Sequence, residues 1–174
     1  PRADCGGGGL CPPVRGRQTD ALVRRLMDLP QPLVLDADGI NALAGHMDEW
    51  ERRRGRVTVL TPHEGEFLRV GGDLSQGRTA AAEDFARRSG AVVVLKGPGT
   101  VVAGPDGRCR VNTTGNCGMA KGGSGDVLSG VVLALLGLGM DAFDACCCAV
   151  WLHGRAGDLA AQEKGQWGMT TTDL

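Results

Sequence analysis

Residues 112–139, NTTGNCGMAKGGSGDVLSGVVLALLGLG, set the glycines Gly118, Gly122, Gly123 and Gly125 directly ahead of one carboxylate, Asp126. An apolar run from Val127 through Leu136 follows, relieved only by Ser129 and Gly130. Glycine permits positive φ and close backbone approach, and the free N–H groups of a helix start bind anions, so a phosphate-bearing ligand fits this loop. An acid beside a phosphate repels it unless the acid takes up a proton or meets a metal ion. General-base chemistry on an acceptor hydroxyl is one use for Asp126. Capping the apolar helix is the other, because Asp is a favoured cap. The loop alone leaves both open, and neither GxxxxGK[ST] nor GxGxxG fits it.

Three further polar clusters follow apolar runs. Asp36-Ala37-Asp38 comes after PLVL, Thr61-Pro62-His63-Glu64-Gly65-Glu66 after RVTVL, and Lys96-Gly97-Pro98-Gly99-Thr100 after AVVVL. Taken singly, each has an ordinary reading: a hydrogen-bonded histidine, first-turn acids complementing a helix dipole, a solvated lysine. Their common position after strands is what points to a site, because ligands of open α/β sheets bind at the carboxyl ends of the strands.

The elements that would hold these clusters alternate along the chain. The runs at 32–36, 56–60 and 91–97 read as buried strands, the second halted by Pro62, which cannot continue a ladder. DGINALAGHMDEWERRRG has helical spacing, with Ile40, Leu43, Ala44 and Met47 on one face. EGEFLRV reads as a short helix and residues 78–90 as a longer one stopped at Gly90. Residues 100–112 read as a hairpin turning at Pro105-Asp106-Gly107, and a last helix is expected from about Asp141 to Glu163. Alternation with continuously apolar strands predicts one α/β domain over 1–174, its largely parallel central sheet covered by helices on both faces.

The 174 residues suffice for one core, and a formal net charge of −1 gives no basic footprint for nucleic acid. Seven cysteines form no C-x-x-C pair, and Cys146-Cys147-Cys148 are consecutive. That spacing suits neither a zinc site nor a disulfide framework and points to packing thiols in a reducing cytoplasm. No run reaches membrane-spanning length and no signal peptide is visible. The 29 glycines show no collagen-like period and belong to turns and loops.

LVLDADGINAL, TPHEGEF, VVLKGPGTVV, NCGMAKGGSGDVLSG and VWLHGRAGDLAA together resemble, in order and spacing, the ADP- or ATP-dependent NAD(P)H-hydrate dehydratase family of the ribokinase-like fold. The resemblance runs from about residue 6 to the end. It implies an enzyme that phosphorylates the hydroxyl of hydrated NADH or NADPH (NADHX, NADPHX) and eliminates phosphate, restoring the cofactor. Asp126 then resembles the catalytic base, with His63, Gly9 and Asn116 as its companions on the substrate side. Lys96, Gly97, Pro98, Gly99, Thr100 and Gly125 look like the nucleotide-binding elements. Glu66 falls where related kinases place a metal-linked acid, which implies a water-mediated Mg²⁺ contact. Two positions depart from the family pattern: Cys117 stands where Pro is usual, and Cys11 replaces the last glycine of a GPGLG turn. The resemblance also implies that the family's first strands precede residue 1 and that the family's last helix would follow residue 174.

ADP is the expected donor, since the glycine- and arginine-rich composition without organelle targeting suits the bacterial, ADP-using type. A cytoplasmic homo-oligomer is expected, acting on NADHX or NADPHX without nucleic acid or membrane. Two alternatives stand beside this reading. A small-molecule kinase of the same fold, such as a hydroxymethylpyrimidine or sugar kinase, would stop at the phosphorylated product. A silent nucleotide-binding module would bind ADP without turnover.

Overall fold

Short apolar runs become strands and the stretches between them helices in a computed structural model, which describes residues 17–174. The chain begins with α1 (Arg17–Met27), then β1 (Leu33–Leu35), α2 (Asp38–Asn41), α3 (Met47–Arg52) and β2 (Thr58–Leu60). It continues with α4 (Glu64–Arg69), α5 (Arg78–Ser89), β3 (Val92–Leu95) and the hairpin strands β4 (Val101–Ala103) and β5 (Cys109–Val111). A 3₁₀ turn at Cys117–Met119 leads to α6 (Ser124–Gly137), and α7 (Ala142–Gly168) follows.

The strands lie in sequence order in a five-stranded sheet. β1, β2 and β3 pair in parallel, whereas β4 and β5 join antiparallel, so the hairpin makes the sheet mixed rather than parallel throughout. Successive strand residues point to opposite faces and both faces are covered, which is why the strands read as unbroken apolar runs. On one face Leu35, Leu60, Val93 and Leu95 pack with Met27, Ile40, Leu43, Trp50, Phe67 and Phe85. On the other, Val59, Val92, Val94 and Val102 pack with Leu128 and Val132 of α6 and with Cys146 and Ala149 of α7.

Most expected elements are present, with one correction. The single helix expected after β1 is two short ones, because the chain turns at Gly45 with φ 79°. Its predicted face survives the break: Ile40 and Leu43 are buried, and Ala44 and Met47 pack against the same cluster. Helix α5 ends at Gly90 in the left-handed conformation, as its sequence indicates. The hairpin turns at Gly107 with φ 90°. Helix α7 extends past the expected Glu163 and breaks at Gly165, whose φ is 72°.

Five described cysteines are free thiols. Burial pushes the Cys146 thiol up to about 12, so it stays a protonated packing residue rather than a nucleophile.

A buried arginine fastens α1 to the sheet. Arg53 is 2% exposed. It donates to the carbonyls of Leu29 at 2.7 Å, Gln31 at 2.8 Å and Val57 at 3.1 Å, and to Thr58 Oγ1 at 2.8 Å. Burial, aided by Arg56, pulls its pKa down from the ordinary value, yet the guanidinium remains charged and hydrogen-bonded. Arg53→Met removes the donors and strands these acceptors. Urea denaturation should show a stability loss on the order of 3 kcal/mol, and a loss below about 1 kcal/mol would contradict this role.

Candidate functional site

Strand β1 delivers Asp36 to the carboxyl edge of the sheet. The next residue, Ala37, has φ 48° and ψ −118°, a conformation costly for any residue with a Cβ. Its N–H donates to Asp36 Oδ1 at 2.9 Å, so this turn helps to hold the carboxylate. From the end of β3, Lys96 Nζ meets Asp36 Oδ1 at 2.7 Å. Ser129 of α6 donates to Asp36 Oδ2 at 3.2 Å. One carboxylate thus joins two strands and the glycine-loop helix.

That helix sits directly on the pair. A Cβ added to Gly125 would lie 3.1 Å from Asp36 Oδ2 and 3.2 Å from Lys96 Nζ, so only glycine allows this approach without displacing them. The N-cap of α6 is Gly123, in the left-handed region at φ 90°, with no side-chain cap. This corrects the capping alternative for Asp126. Asp126 occupies the third helical position, is exposed, and makes no side-chain hydrogen bond or ion pair among the described residues. Its carboxylate is free to meet a ligand at a positive helix end.

The loop is braced from α7. Ser124 Oγ lies 3.4 Å from His153 Nε2. Asp158 accepts from Gly115 N–H at 3.0 Å and from Asn116 Nδ2 at 3.1 Å, while Asn116 Oδ1 accepts from Gly118 N–H at 3.0 Å. Both ends of the Asn116 amide are therefore committed to shaping the approach to the glycine loop. Gly154 and Gly157 make the room: a Cβ would come within 2.3 Å of Thr114 Oγ1 at the first and of Met119 Sδ at the second. The HGRAGD stretch of α7 reads in this way as one helical face, with i,i+4 pairs His153/Gly157 and Gly154/Asp158.

His63 caps α4. Its Nδ1 accepts from Gly65 N–H at 3.0 Å and from Glu66 N–H at 3.3 Å, and Glu66 Oε2 accepts from His63 N–H at 2.8 Å. This is a reciprocal capping box. Gly65 permits it, since a Cβ there would sit 2.9 Å from His63 Cε1. The ring stays exposed and its backbone bridges to Lys96, so His63 stands beside the Lys96 loop. Glu66 is buried, and its Oε1 lies 3.3 Å from His63 Nε2. Among the described residues no group of three or more His, Cys, Asp or Glu is placed to hold a metal ion.

Gly97, at φ 148°, and Gly99, at φ 64°, turn the loop after Lys96, and the Thr100 hydroxyl donates to the Gly97 carbonyl at 3.1 Å. The structure thus pairs Asp36 with Lys96 and sets Gly125 close over them, with His63 and the 97–100 loop alongside. Asp126 follows Gly125 on α6. Gly9 lies outside the described residues. Sequence reasoning missed Arg78, His153 and Asp158 as contributors, although the last two lie in the VWLHGRAGDLAA stretch it singled out. A concavity lined by Arg56, Val92, Arg108 and Phe143 opens at the other ends of the strands. Its Arg108 is already paired with Asp106 and Asp141.

Parallel strands delivering an acid and a lysine beneath a glycine-capped helix define a ribokinase-like α/β domain. A ribokinase-like superfamily protein from Enterococcus faecalis shares this fold, with a TM-score of 0.75 over 91% of this chain and 55% of its own, at 24% identity. Within that class the chain belongs to the NAD(P)H-hydrate dehydratase family, whose profile matches residues 7–174. The bifunctional NAD(P)H-hydrate repair enzyme of Thermofilum pendens is 47% identical over 83% of this chain and 28% of its own length. The ADP-dependent (S)-NAD(P)H-hydrate dehydratase of Neisseria meningitidis is 42% identical over 78% of this chain and 47% of its own. The ADP/ATP-dependent dehydratase of Bacillus subtilis, co-crystallised with ATP/Mg²⁺, superposes with a TM-score of 0.73 at 37% identity, over 86% of this chain and 53% of its own. The chain therefore spans about half or less of the length of these relatives.

The His153 contact carries a pH signature. Burial, with the nearby Lys96 charge, holds its pKa below the ordinary 6.5. The unfolded chain consequently binds the proton first, and the folded state loses stability as pH falls through that ordinary value. Between about pH 7.5 and about pH 5.5 the wild type should lose more stability than His153→Gln. Equal losses in urea titrations would contradict a desolvated imidazole beside Ser124.

Proposed function

We propose that this chain carries the site for ADP-dependent dehydration of (S)-NAD(P)H hydrate, which makes it part of a hydro-lyase that repairs nicotinamide cofactors. The contact of Gly125 with the Asp36–Lys96 pair is the observation that carries the reading, because it lays a glycine-started helix over the strand ends, with a free acid one residue on. Family membership and the names of its relatives support the same chemistry.

In this reading the nucleotide lies along Lys96, Gly97, Pro98, Gly99, Thr100 and Gly125, its phosphates facing backbone N–H groups rather than a lysine-rich patch. The hydrated nicotinamide lies between His63 and Asp126, with Gly9 and Asn116 bordering it. Asp126 takes the proton from the ring hydroxyl as that oxygen attacks the β-phosphorus of ADP, and AMP leaves. The C–O bond of the phosphorylated intermediate then breaks, phosphate departs with the bonding pair, and a proton lost from the adjacent carbon restores the ring double bond.

The donor set suits a magnesium ion that arrives with the phosphates, since Mg²⁺ in such sites needs only one or two protein carboxylates. Glu66 would meet it through water, because both Glu66 oxygens face His63. Bound there, the ion would offset charge on the transferring phosphoryl group. The same reading expects a cytoplasmic homo-oligomer. Among the described residues no helix is long and apolar enough to cross a membrane.

The test is an assay of the intact protein on hydrated NADPH, with NADPH and free phosphate measured together. NADPH and phosphate should appear in equal amounts, and faster with ADP than with ATP. A phosphorylated product without phosphate release would make the site a kinase, and faster turnover with ATP would overturn the donor assignment.

A further inference from the structure

The loop proposed to hold the nucleotide has one internal side-chain tie, from the Thr100 hydroxyl to the Gly97 carbonyl. Three further carbonyls, those of Leu95, Pro98 and Gly99, are gathered by one side chain from outside it, Arg78 at the start of α5. Arg78 Nη2 donates to the Leu95 carbonyl at 2.9 Å, while Nη1 donates to the carbonyls of Pro98, at 2.5 Å, and Gly99, at 3.2 Å. The guanidinium packs against Gly97 so closely that a Cβ there would come within 2.7 Å of Nη2. Arg78 Nε also lies 3.2 Å from Glu64 Oε1, on the segment that carries His63.

Peptide planarity gives this clamp a consequence. In a trans peptide the C=O and the following N–H point in opposite directions. Turning the Pro98 and Gly99 carbonyls towards Arg78 therefore turns the N–H groups of Gly99 and Thr100 away from it. Neither N–H has a backbone acceptor in the loop or its neighbours among the described residues. Two aligned free N–H groups beside a positive-φ glycine form an anion-binding concavity.

We propose that Arg78 is a positioning residue for nucleotide binding: by holding the Pro98 and Gly99 carbonyls it aims the Gly99 and Thr100 N–H groups at a phosphate of the nucleotide. This rests on the assignment of residues 96–100 to the nucleotide. In this proposal Arg78 acts through the loop rather than on the phosphate, because its hydrogen bonds all go to the carbonyls of Leu95, Pro98 and Gly99, with the Glu64 carboxylate beside its Nε. Lysine cannot replace it, since a single ammonium lacks the planar fork that spans three carbonyls.

The test uses the intact protein and four measurements on wild type, Arg78→Ala and Arg78→Lys: ADP affinity by calorimetry, KM for ADP, KM for hydrated NADPH, and Tm. Arg78→Ala should weaken ADP binding by about 10-fold to 100-fold, with a matching rise in the ADP KM and little change in the hydrate KM. Arg78→Lys should fall between, and it carries the test if the alanine variant does not fold. Lowered Tm with unchanged ADP affinity in the folded variants would make Arg78 merely structural and overturn the proposal. Hydrogen exchange on the wild-type protein separates the underlying assignment, because ADP should protect the 95–101 peptide. Absent protection would remove the loop assignment and the clamp with it, whereas protection combined with normal ADP affinity in both variants would overturn the clamp alone.

Discussion

The ion pair between Asp36 and Lys96, 2.7 Å long and largely shielded from solvent, is the contact on which the rest of the site depends. It closes the carboxyl ends of β1 and β3 across β2, and Ser129 ties it to α6. As a source of stability such a pair is modest, since desolvation offsets most of the Coulomb attraction. Its contribution is positional. Lys96 directed at Asp36 is a lysine committed to the fold, and in the proposed reading the phosphates are met by backbone N–H groups and the helix dipole. Gly125 can touch both partners only because it has no side chain.

Three supports then fix what lies on that pair. From one side, α7 braces the glycine loop through His153 and Asp158. From the other, Arg78 gathers the carbonyls of the 95–99 stretch and reaches towards Glu64. Between them the capping box of His63 and Glu66 sets the start of α4, with the His63 backbone bridged to Lys96. These supports spend their polar side chains on holding the loops, whereas Asp126 makes no side-chain hydrogen bond or ion pair among the described residues. That contrast is the structural ground for giving Asp126 the chemistry.

Much of this was readable from the residues. Unbroken apolar strands announced a sheet covered on both faces, and the polar clusters after them announced a common rim. What remained hidden was hidden for physical reasons. Gly45 could have sat inside a helix at modest cost, and its positive φ, at the turn between the two short helices, leaves no mark in the apolar periodicity. Helix α1 went unread because Val23 and Met27 are buried among arginines whose charges mask a short apolar stripe. Arg78 looked like any first-turn residue, since its partners are backbone carbonyls, which leave no trace in composition. The role of Asn116 was read from resemblance as substrate contact, while the structure commits its amide to Asp158 and Gly118. His63 likewise proved to have a structural duty that its sequence neighbourhood, with Gly65 and Glu66, already encoded as a capping box.

The central claim is that Asp126 acts as a base and not as a helix cap. It is tested most directly by Asp126→Asn, which keeps size and hydrogen-bonding capacity but removes the basic carboxylate. Turnover, ADP affinity and Tm measured together on the intact protein should show kcat lowered by roughly 10²-fold to 10⁴-fold, with ADP affinity kept or improved and stability little changed. A kcat close to that of the wild type, with phosphate still released from hydrated NADPH, would contradict the account.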